Sequence, residues 1–240
     1  MCSKILPLFP KYDVYVEPFC GAGTLLFAQR PESKVEVLND INSLVFNFFD
    51  VLKTQYKDLV ALLNNSFYSQ ELYVKSTEMC RNGTGTPLER AEAFFIAINQ
   101  AFGKIIGGGW AFDSDGGRAN AYNNKVERLR ACALRLKKVS VSNEDALKCI
   151  KRWDGPGAFF YCDPPYIGTD CGHYAGYTDE AYAELIKTLE GIEGKAMVSG
   201  YENDIVPQTW KRHKFAARSS VNNVKEKNYD MRIEVVFEKP

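Results

Sequence analysis

The sequence predicts an α/β fold, a doubly wound and mostly parallel sheet with helices on both faces. Three observations carry that expectation. Runs of β-branched and aromatic residues alternate with segments of helical apolar spacing. Glycines punctuate the first strand-to-helix turn, Cys20-Gly21-Ala22-Gly23. A wholly apolar run, Ala158 to Cys162, ends on an acid followed by two prolines, the pattern of a buried parallel strand that stops at its sheet's edge. Sheets of this kind bind ligands at the carboxyl ends of their strands.

Taken in order, Asp13 to Glu17 (DVYVE) alternates and predicts the first strand, Pro18 to Gly23 the turn, and Thr24 to Arg30 a helix. Lys34 to Leu38 (KVEVL) predicts a second strand closed by Asn39-Asp40. From Ile41 to Leu63, apolar residues at Leu44, Phe48, Val51, Leu52, Leu59 and Leu63 predict one long helix. The composition then changes. Asn82-Gly83-Thr84-Gly85 reads as a loop, Glu89 to Lys104 as a helix, and Ile105 to Asn124 is dense in glycine, asparagine, aspartate and aromatics. Residues 67–123 therefore read as an insertion into a domain made of residues 1–66 and 124–240. Alternation resumes with a basic amphipathic helix from Lys125 to Lys138, a strand Val139 to Ser142, a helix Ala146 to Trp153 and the strand Ala158 to Cys162. Tyr182 to Ile192 predicts a helix and Lys195 to Ser199 a strand. Phe215 to Val221 and Ile233 to Glu238 predict a closing pair of strands.

With 45% hydrophobic and 25% charged residues, 240 residues can bury a full core. Lys+Arg and Asp+Glu both total 30, so no global positive field advertises nucleic acid, and any such affinity must come from local patches. Seven cysteines at irregular positions show neither paired CxxC spacing nor a disulfide ladder, which suits a reducing cytoplasm and predicts no metal site. No stretch approaches the roughly 18 apolar residues of a membrane span, so a soluble intracellular protein with no membrane partner is expected.

Two motifs carry chemistry. Gly21 and Gly23 let backbone approach a ligand, and the following helix offers its amino terminus to negative groups. Asp40 closes the next strand 17 residues after Gly23, a spacing at which an acid accepts hydrogen bonds from ribose hydroxyls. Together they suggest a nucleoside cofactor, with a helix N-cap as the other role open to Asp40. The second motif is Asp163-Pro164-Pro165-Tyr166. A buried strand delivers one carboxylate to its tip, and two prolines stiffen the exit and leave carbonyl acceptors without donors. Asp163 and the Pro164 carbonyl can each accept an N–H bond from an aromatic amine, turning its nitrogen lone pair toward an electrophile, while Tyr166 can stack on the base.

At these residues, VEPFCGAG, LND and YCDPPY, the chain resembles the DNA adenine N6-methyltransferases of the DNA adenine methylase type, found in bacteria, phages and prophages. The resemblance runs from about Lys4 to the C-terminus and includes Val198-Ser199-Gly200-Tyr201 and Arg232-Ile233-Glu234. It implies a methyltransferase dependent on S-adenosylmethionine, with a Rossmann-like sheet, an inserted target-recognition region and double-stranded DNA as partner. By the same resemblance Asp163, Pro164, Pro165 and Tyr166 form the catalytic motif. Glu17, Pro18, Phe19, Gly21, Ala22 and Gly23 line the methionine and ribose of the cofactor, Asp40 holds its ribose, Asp145 lies near its adenine, and Lys4 matches the family's amino-terminal lysine. The family usually opens on an aromatic-x-Gly-Gly-Lys segment, whereas this chain opens Met1-Cys2-Ser3-Lys4, so weak cofactor binding on an intact fold is expected. A DNA-binding relative with impaired catalysis is the alternative. A dinucleotide oxidoreductase would explain the glycines and Asp40 but leaves DPPY without a purpose.

A sulfonium methyl is already activated, so the reaction needs in-line positioning rather than a metal or a covalent nucleophile. The target amine lies inside a duplex, so the base must be flipped out, with Tyr166 as platform. Tyr174 and Tyr177 either close over the base or belong to a plain solvent loop. Between Lys125 and Lys138 six cations (Lys125, Arg128, Arg130, Arg135, Lys137, Lys138) oppose Glu127 alone, either a phosphate-contacting helix or a solvated face. Gly107-Gly108-Gly109-Trp110 with Arg118 and Asn120 to Asn124 reads as a flexible recognition hairpin. A monomer is expected.

Overall fold

In the computed structural model, residues 2–29, 33–166, 177–218 and 231–240 are described. A short helix α1 (Cys2–Ile5) and a 3-10 turn (Leu6–Leu8) lead into β1 (Val14–Glu17), α2 (Thr24–Ala28) and β2 (Val35–Asn39). Helices α3 (Ser43–Thr54), α4 (Tyr56–Asn65), α5 (Gln70–Asn82), α6 (Pro87–Asn99) and α7 (Gly117–Leu136) follow. The alternation then returns with β3 (Val139–Ser142), α8 (Ala146–Trp153), β4 (Ala158–Cys162), α9 (Asp179–Glu190) and β5 (Lys195–Gly200). A hairpin of β6 (Lys211–Arg218) and β7 (Met231–Glu238) closes the chain. No described helix is long and apolar enough to cross a membrane.

The seven strands lie in the order β3-β2-β1-β4-β5-β7-β6. β1 pairs in parallel with β2 and with β4, and β4 in parallel with β5, whereas β7 runs antiparallel to β5. The chain winds outward from β1 to β2 and then returns to place β4 on the other side of β1. That reversal opens a crevice at the carboxyl ends of β1 and β4, where α/β sheets hold ligands.

Strand periodicity sorts the two faces of this sheet. Val16, Val37, Phe160, Cys162, Val198 and Phe237 pack on Cys149 and Ile150 of α8 and on Leu185, Ile186 and Leu189 of α9. The alternate residues Tyr15, Phe159 and Tyr161 face Phe9, whose ring centroid lies 5.6, 4.8 and 5.7 Å from theirs. Each fully buried large apolar side chain contributes about 1.5–3 kcal/mol, and aromatic pairs about 0.5–1.5 kcal/mol more.

By packing the chain forms two compact units, Met1–Ile41 with Ser142–Pro240 and Asn42–Val141. The second is helical. Phe48 of α3 stacks on Phe95 of α6 at 5.9 Å, and Phe95 meets Tyr122 of α7 edge-on at 5.5 Å. Three of its helices start on side-chain caps: Asn42 on α3, Ser69 on α5, and a Thr86–Glu89 capping box on α6. The single helix expected over Ile41 to Leu63 is two helices, broken at Gln55 (φ −127°, ψ 35°). The expected recognition hairpin is shorter than the sequence suggests. A lone antiparallel bridge joins Ala101 to Trp110, but α7 begins at Gly117, so Arg118 and Asn120 to Asn124 lie on its first turns. Aspartates set that start, Asp113 accepting from the Arg118 N–H at 2.6 Å and Asp115 from the Gly117 N–H at 3.1 Å.

Candidate active site

The carboxyl ends of β1, β2 and β4 carry most of the residues singled out from the sequence. After β1 the chain turns through Pro18 and Phe19 to Gly21 (φ +47°) and Gly23 (φ +62°), left-handed backbone that suits glycine. The Gly21 N–H donates to Asp40 Oδ2 at 2.9 Å, so the glycine loop and the acid at the tip of β2 are brought together. A side chain added at Gly21 would meet nothing within 4 Å, whereas one at Gly23 would press on Phe27 at 3.0 Å and Leu38 at 3.3 Å. Gly21 thus keeps an open face and Gly23 a packed one. Ala22 is exposed between them.

Asn39, fully buried, ties the surrounding loops together. Its amide donates to the Pro18 carbonyl at 3.0 Å and to the Glu144 carbonyl at 2.9 Å. Its Oδ1 accepts from the Ser142 hydroxyl at 2.8 Å and from the Glu144 N–H at 3.0 Å. The loop after β3 is thereby held to the tip of β2. Next to Glu144, Asp145 caps α8, accepting from the N–H groups of Leu147 at 3.0 Å and Lys148 at 3.1 Å. The N-cap of α3 is Asn42, whose side chain accepts from the Leu44 N–H.

Glu17 turns inward. Its Oε1 accepts from the Tyr15 hydroxyl at 2.9 Å and from the Leu26 N–H at 2.8 Å, closing the first turn of α2, whose own cap residue is Gly23. Burial pushes its pKa up to about 8 against the lowering effect of those two bonds, and the charge of Asp163 adds to the rise. Lys4 stands exposed on α1.

At the tip of β4, Asp163 is reached by solvent yet sits in a recess dense with protein. Loss of surrounding water pushes its pKa up to about 6, a hydrogen bond with the Tyr166 hydroxyl opposes this, and the charge of Glu234 on β7 adds to it. Tyr166 meets Tyr201 edge-on, with ring centroids 5.0 Å apart at 83°. Beneath them the Tyr161 hydroxyl is hydrogen-bonded to Ser199 Oγ. On the other side Phe19 meets Tyr177 edge-on at 6.1 Å and 87°, and the buried Tyr177 hydroxyl has no hydrogen-bond partner among the described residues. Tyr174 lies outside the described residues. A separate cavity of about 600 Å³, lined by Phe9, Lys11, Tyr12, Asp13 and Pro156 among others, opens at the amino-terminal ends of β1 and β4, away from this crevice.

Residues 1–217 match the family described as D12 class N6 adenine-specific DNA methyltransferase. The chain belongs to this family. Among curated proteins, this D12 class chain is similar to the "Type II methyltransferase M1.LlaDCHI" of Lactococcus lactis subsp. cremoris, at 27% identity over 186 residues. The match takes in 72% of this chain and 64% of the relative, so the chain spans under two thirds of that relative's length. Among solved structures, an rRNA methyltransferase aviRa from Streptomyces viridochromogenes aligns with a TM-score of 0.40 and 13% identity, over 99% of this chain and 83% of that one. A conserved hypothetical protein of Streptococcus pyogenes aligns with a TM-score of 0.39 and 10% identity, over 99% and 94%.

The sequence assigns roles to Asp163, Tyr166, Gly21 and Asp40, whereas Asn39 has none there and Ser199, Tyr201 and Glu234 enter only as members of stretches that resemble the family. For Asn39 a signal existed, a polar residue closing the apolar strand VEVLN. The other three come into place through strand pairing between segments far apart in the chain.

Proposed function

We propose that this chain transfers a methyl group from S-adenosylmethionine to the N6 amino group of adenine in double-stranded DNA. The observation that carries this reading is the Asp163-Pro164-Pro165-Tyr166 tip of β4, standing beside the glycine loop and Asp40 where the sheet reverses its winding. The neighbouring residues fit the cofactor. Gly21 offers an open backbone face, Asp40 an acid for ribose hydroxyls, and among the described residues the Tyr177 hydroxyl beside Phe19 is an orphan donor. Phe19, Pro18, Ala22 and Gly23 complete the loop that would hold it, with Asp145 and Lys4 at its margins. When bound, it supplies an electrophilic methyl group.

The chain's own residues do the rest. Asp163 Oδ and the Pro164 carbonyl accept the two N–H bonds of the target amine, drawing its lone pair out of the ring's conjugation. Asp163 then takes the proton that the nitrogen loses once its new bond to carbon has formed. Tyr166, braced against Tyr201 and by its bond to Asp163, stacks on the flipped base. Residues 67–123, read as the target-recognition region, lie within the Asn42–Val141 unit, and the residues assigned to the chemistry lie in the unit of Met1–Ile41 with Ser142–Pro240. The enzyme works as a cytoplasmic monomer, and its chemistry asks for no metal because the methyl group arrives activated.

Purified protein incubated with labelled S-adenosylmethionine and mixed-sequence duplex DNA is expected to yield N6-methyladenine on nucleoside analysis. N4-methylcytosine alone, or label only in RNA or protein, would overturn the assignment.

A further inference from the structure

The loop between β5 and β6 carries one side chain of the crevice beyond the reach of the sheet. The β5–β7 ladder ends at Gly200 opposite Val235, so Tyr201, the next residue, is placed by contacts outside the strand. Its ring meets Tyr166 edge-on at 5.0 Å and 83°. A ring pair of this kind contributes about 0.5–1.5 kcal/mol, and it orients one ring only as well as the backbone of the other is held. Whatever fixes Tyr201 therefore also bears on the ring of Tyr166.

Two side chains fix this loop. Asn203 folds it on itself: its amide donates to the Tyr201 carbonyl at 2.9 Å, and its Oδ1 accepts from the N–H groups of Ile205 at 3.0 Å and Val206 at 3.1 Å. Arg212, the second residue of β6, then binds the folded loop to the sheet. Its Nε donates to Glu202 Oε1 at 2.8 Å, and its two Nη groups donate to the carbonyls of Val206 at 3.0 Å, Pro207 at 3.2 Å and Trp210 at 2.9 Å. Its guanidinium carbon stands 5.3 Å from the ring centroid of Phe237 on β7. One planar fork thus holds four points of the loop, which the single ammonium of a lysine cannot do. Lys214 also reaches Glu202, at 2.8 Å, but that pair is 56% and 47% exposed, whereas the Arg212 side chain is 14% exposed, so the Arg212 bonds carry more of the hold.

We propose that Arg212 is a positioning residue for methyl transfer: by clamping the loop after β5 it seats Tyr201 against Tyr166 and so fixes the ring on which the flipped base stacks. This rests on the methyltransferase reading above. In-line transfer needs the amine held where the methyl group arrives, and a displacement of about 1 Å costs on the order of a hundredfold in rate. A platform seated in advance spends no binding energy on finding its place. Arg212 acts through Tyr201 and stands apart from the glycine loop and Asp40, so its loss should slow the transfer step and spare cofactor affinity.

A double-substitution cycle tests the clamp. In single-turnover methylation of mixed-sequence duplex DNA at saturating S-adenosylmethionine, Tyr201→Leu is expected to slow the rate about tenfold and Arg212→Lys about three- to tenfold, with cofactor affinity unchanged within about twofold. Because Arg212 works through Tyr201, adding Arg212→Lys to Tyr201→Leu should cost nothing more, whereas two independent structural losses would multiply. Multiplying losses, or a wild-type rate in Arg212→Lys, overturn the proposal. A second readout needs no activity. In the whole chain labelled with 3-fluorotyrosine, the Tyr166 fluorine signal is identified by its absence in Tyr166→Phe, and it should move in the same direction in Arg212→Lys and in Tyr201→Leu. A Tyr166 signal that Arg212→Lys leaves in place overturns the clamp. A signal that moves in a protein whose wild type makes no N6-methyladenine overturns the methyltransferase reading and leaves the clamp standing. Glu202→Gln, which weakens the same clamp from its exposed end, repeats both measurements if Arg212→Lys does not fold.

Discussion

Two acids at the tips of the strands flanking β1 are set to different tasks. Asp163 faces the crevice with its proton affinity raised, whereas one oxygen of Asp40 is already engaged by the Gly21 N–H. Asp163→Ala should abolish turnover and leave affinity for S-adenosylmethionine within a few-fold. Asp40→Ala should weaken that affinity by about 1–3 kcal/mol in calorimetry, through lost ribose bonds and a loosened glycine loop. Equal affinity in wild type and Asp40→Ala would refute the cofactor role. Because Asp163 must be ionised to accept an N–H bond, methylation should fall away as pH drops through about 6. Glu17 makes a separate prediction about stability. Its folded pKa of about 8 lies above the ordinary 4.5, so the folded chain binds the extra proton, and stability is full below about 4.5 and declines as pH rises through about 8. Glu17→Gln should flatten the dependence of Tm on pH across that window, and a Tm profile parallel to wild type would show the carboxyl is not buried as described. The DPPY residues were legible in the sequence because they adjoin one another. Glu17 was legible only as a motif member, since its service to the Leu26 N–H depends on how α2 folds back over β1.

Among the elements, β3, α8 and β4 fall where the sequence predicts because each is short and bounded by turn residues or prolines. The break at Gln55 escaped because the apolar rhythm continues across it from Leu52 to Leu59, and every intervening residue tolerates a helix. Helix α5 escaped for the opposite reason: it buries Tyr73, Ser76, Thr77 and Cys80, so its inner face carries little apolar signal, and the Ser69 cap was its only clear mark. The glycine turn allows an element-level test. Gly21→Ala and Gly23→Ala both force a side chain into left-handed backbone, at about 1–2 kcal/mol. Only Gly23 adds crowding, against Phe27 and Leu38. In urea unfolding Gly23→Ala should therefore lose more stability than Gly21→Ala, while Gly21→Ala should do more harm to cofactor affinity than its stability loss suggests. Equal losses for the two would mean the turn relaxes at both.

Across the whole molecule, positive and negative charges balance, so affinity for DNA has to be local. Within the Asn42–Val141 unit, Lys125 is lowered from its ordinary pKa first by burial and then by the like charges of Lys104 and Arg118, which places three cations in one neighbourhood. The basic run and the asparagine-rich segment mark Lys125 and Arg118 in the sequence, whereas Lys104 joins them from the glycine-rich loop, where its own backbone is left-handed (φ 60°). If the three meet phosphates, Lys104→Ala with Lys125→Ala should cut the steepness of the salt dependence of DNA binding by roughly one to two in log–log slope. An unchanged slope in fluorescence anisotropy would put the phosphate contacts elsewhere.

The seam at Asp40 and Ser142 reaches further than the crevice it borders. The Asp40 N–H donates to the Ser142 carbonyl at 3.3 Å, so the chain leaves the first unit and re-enters it at adjacent points one hundred residues apart in sequence. Such a junction needs little of what lies between except that its two ends meet. In evolutionary terms it is a cassette socket. Recombination at two neighbouring breakpoints can exchange the intervening segment and leave Asp40 and Asp163 in place, and on the function proposed above such an exchange changes the DNA sequence recognised without changing the chemistry.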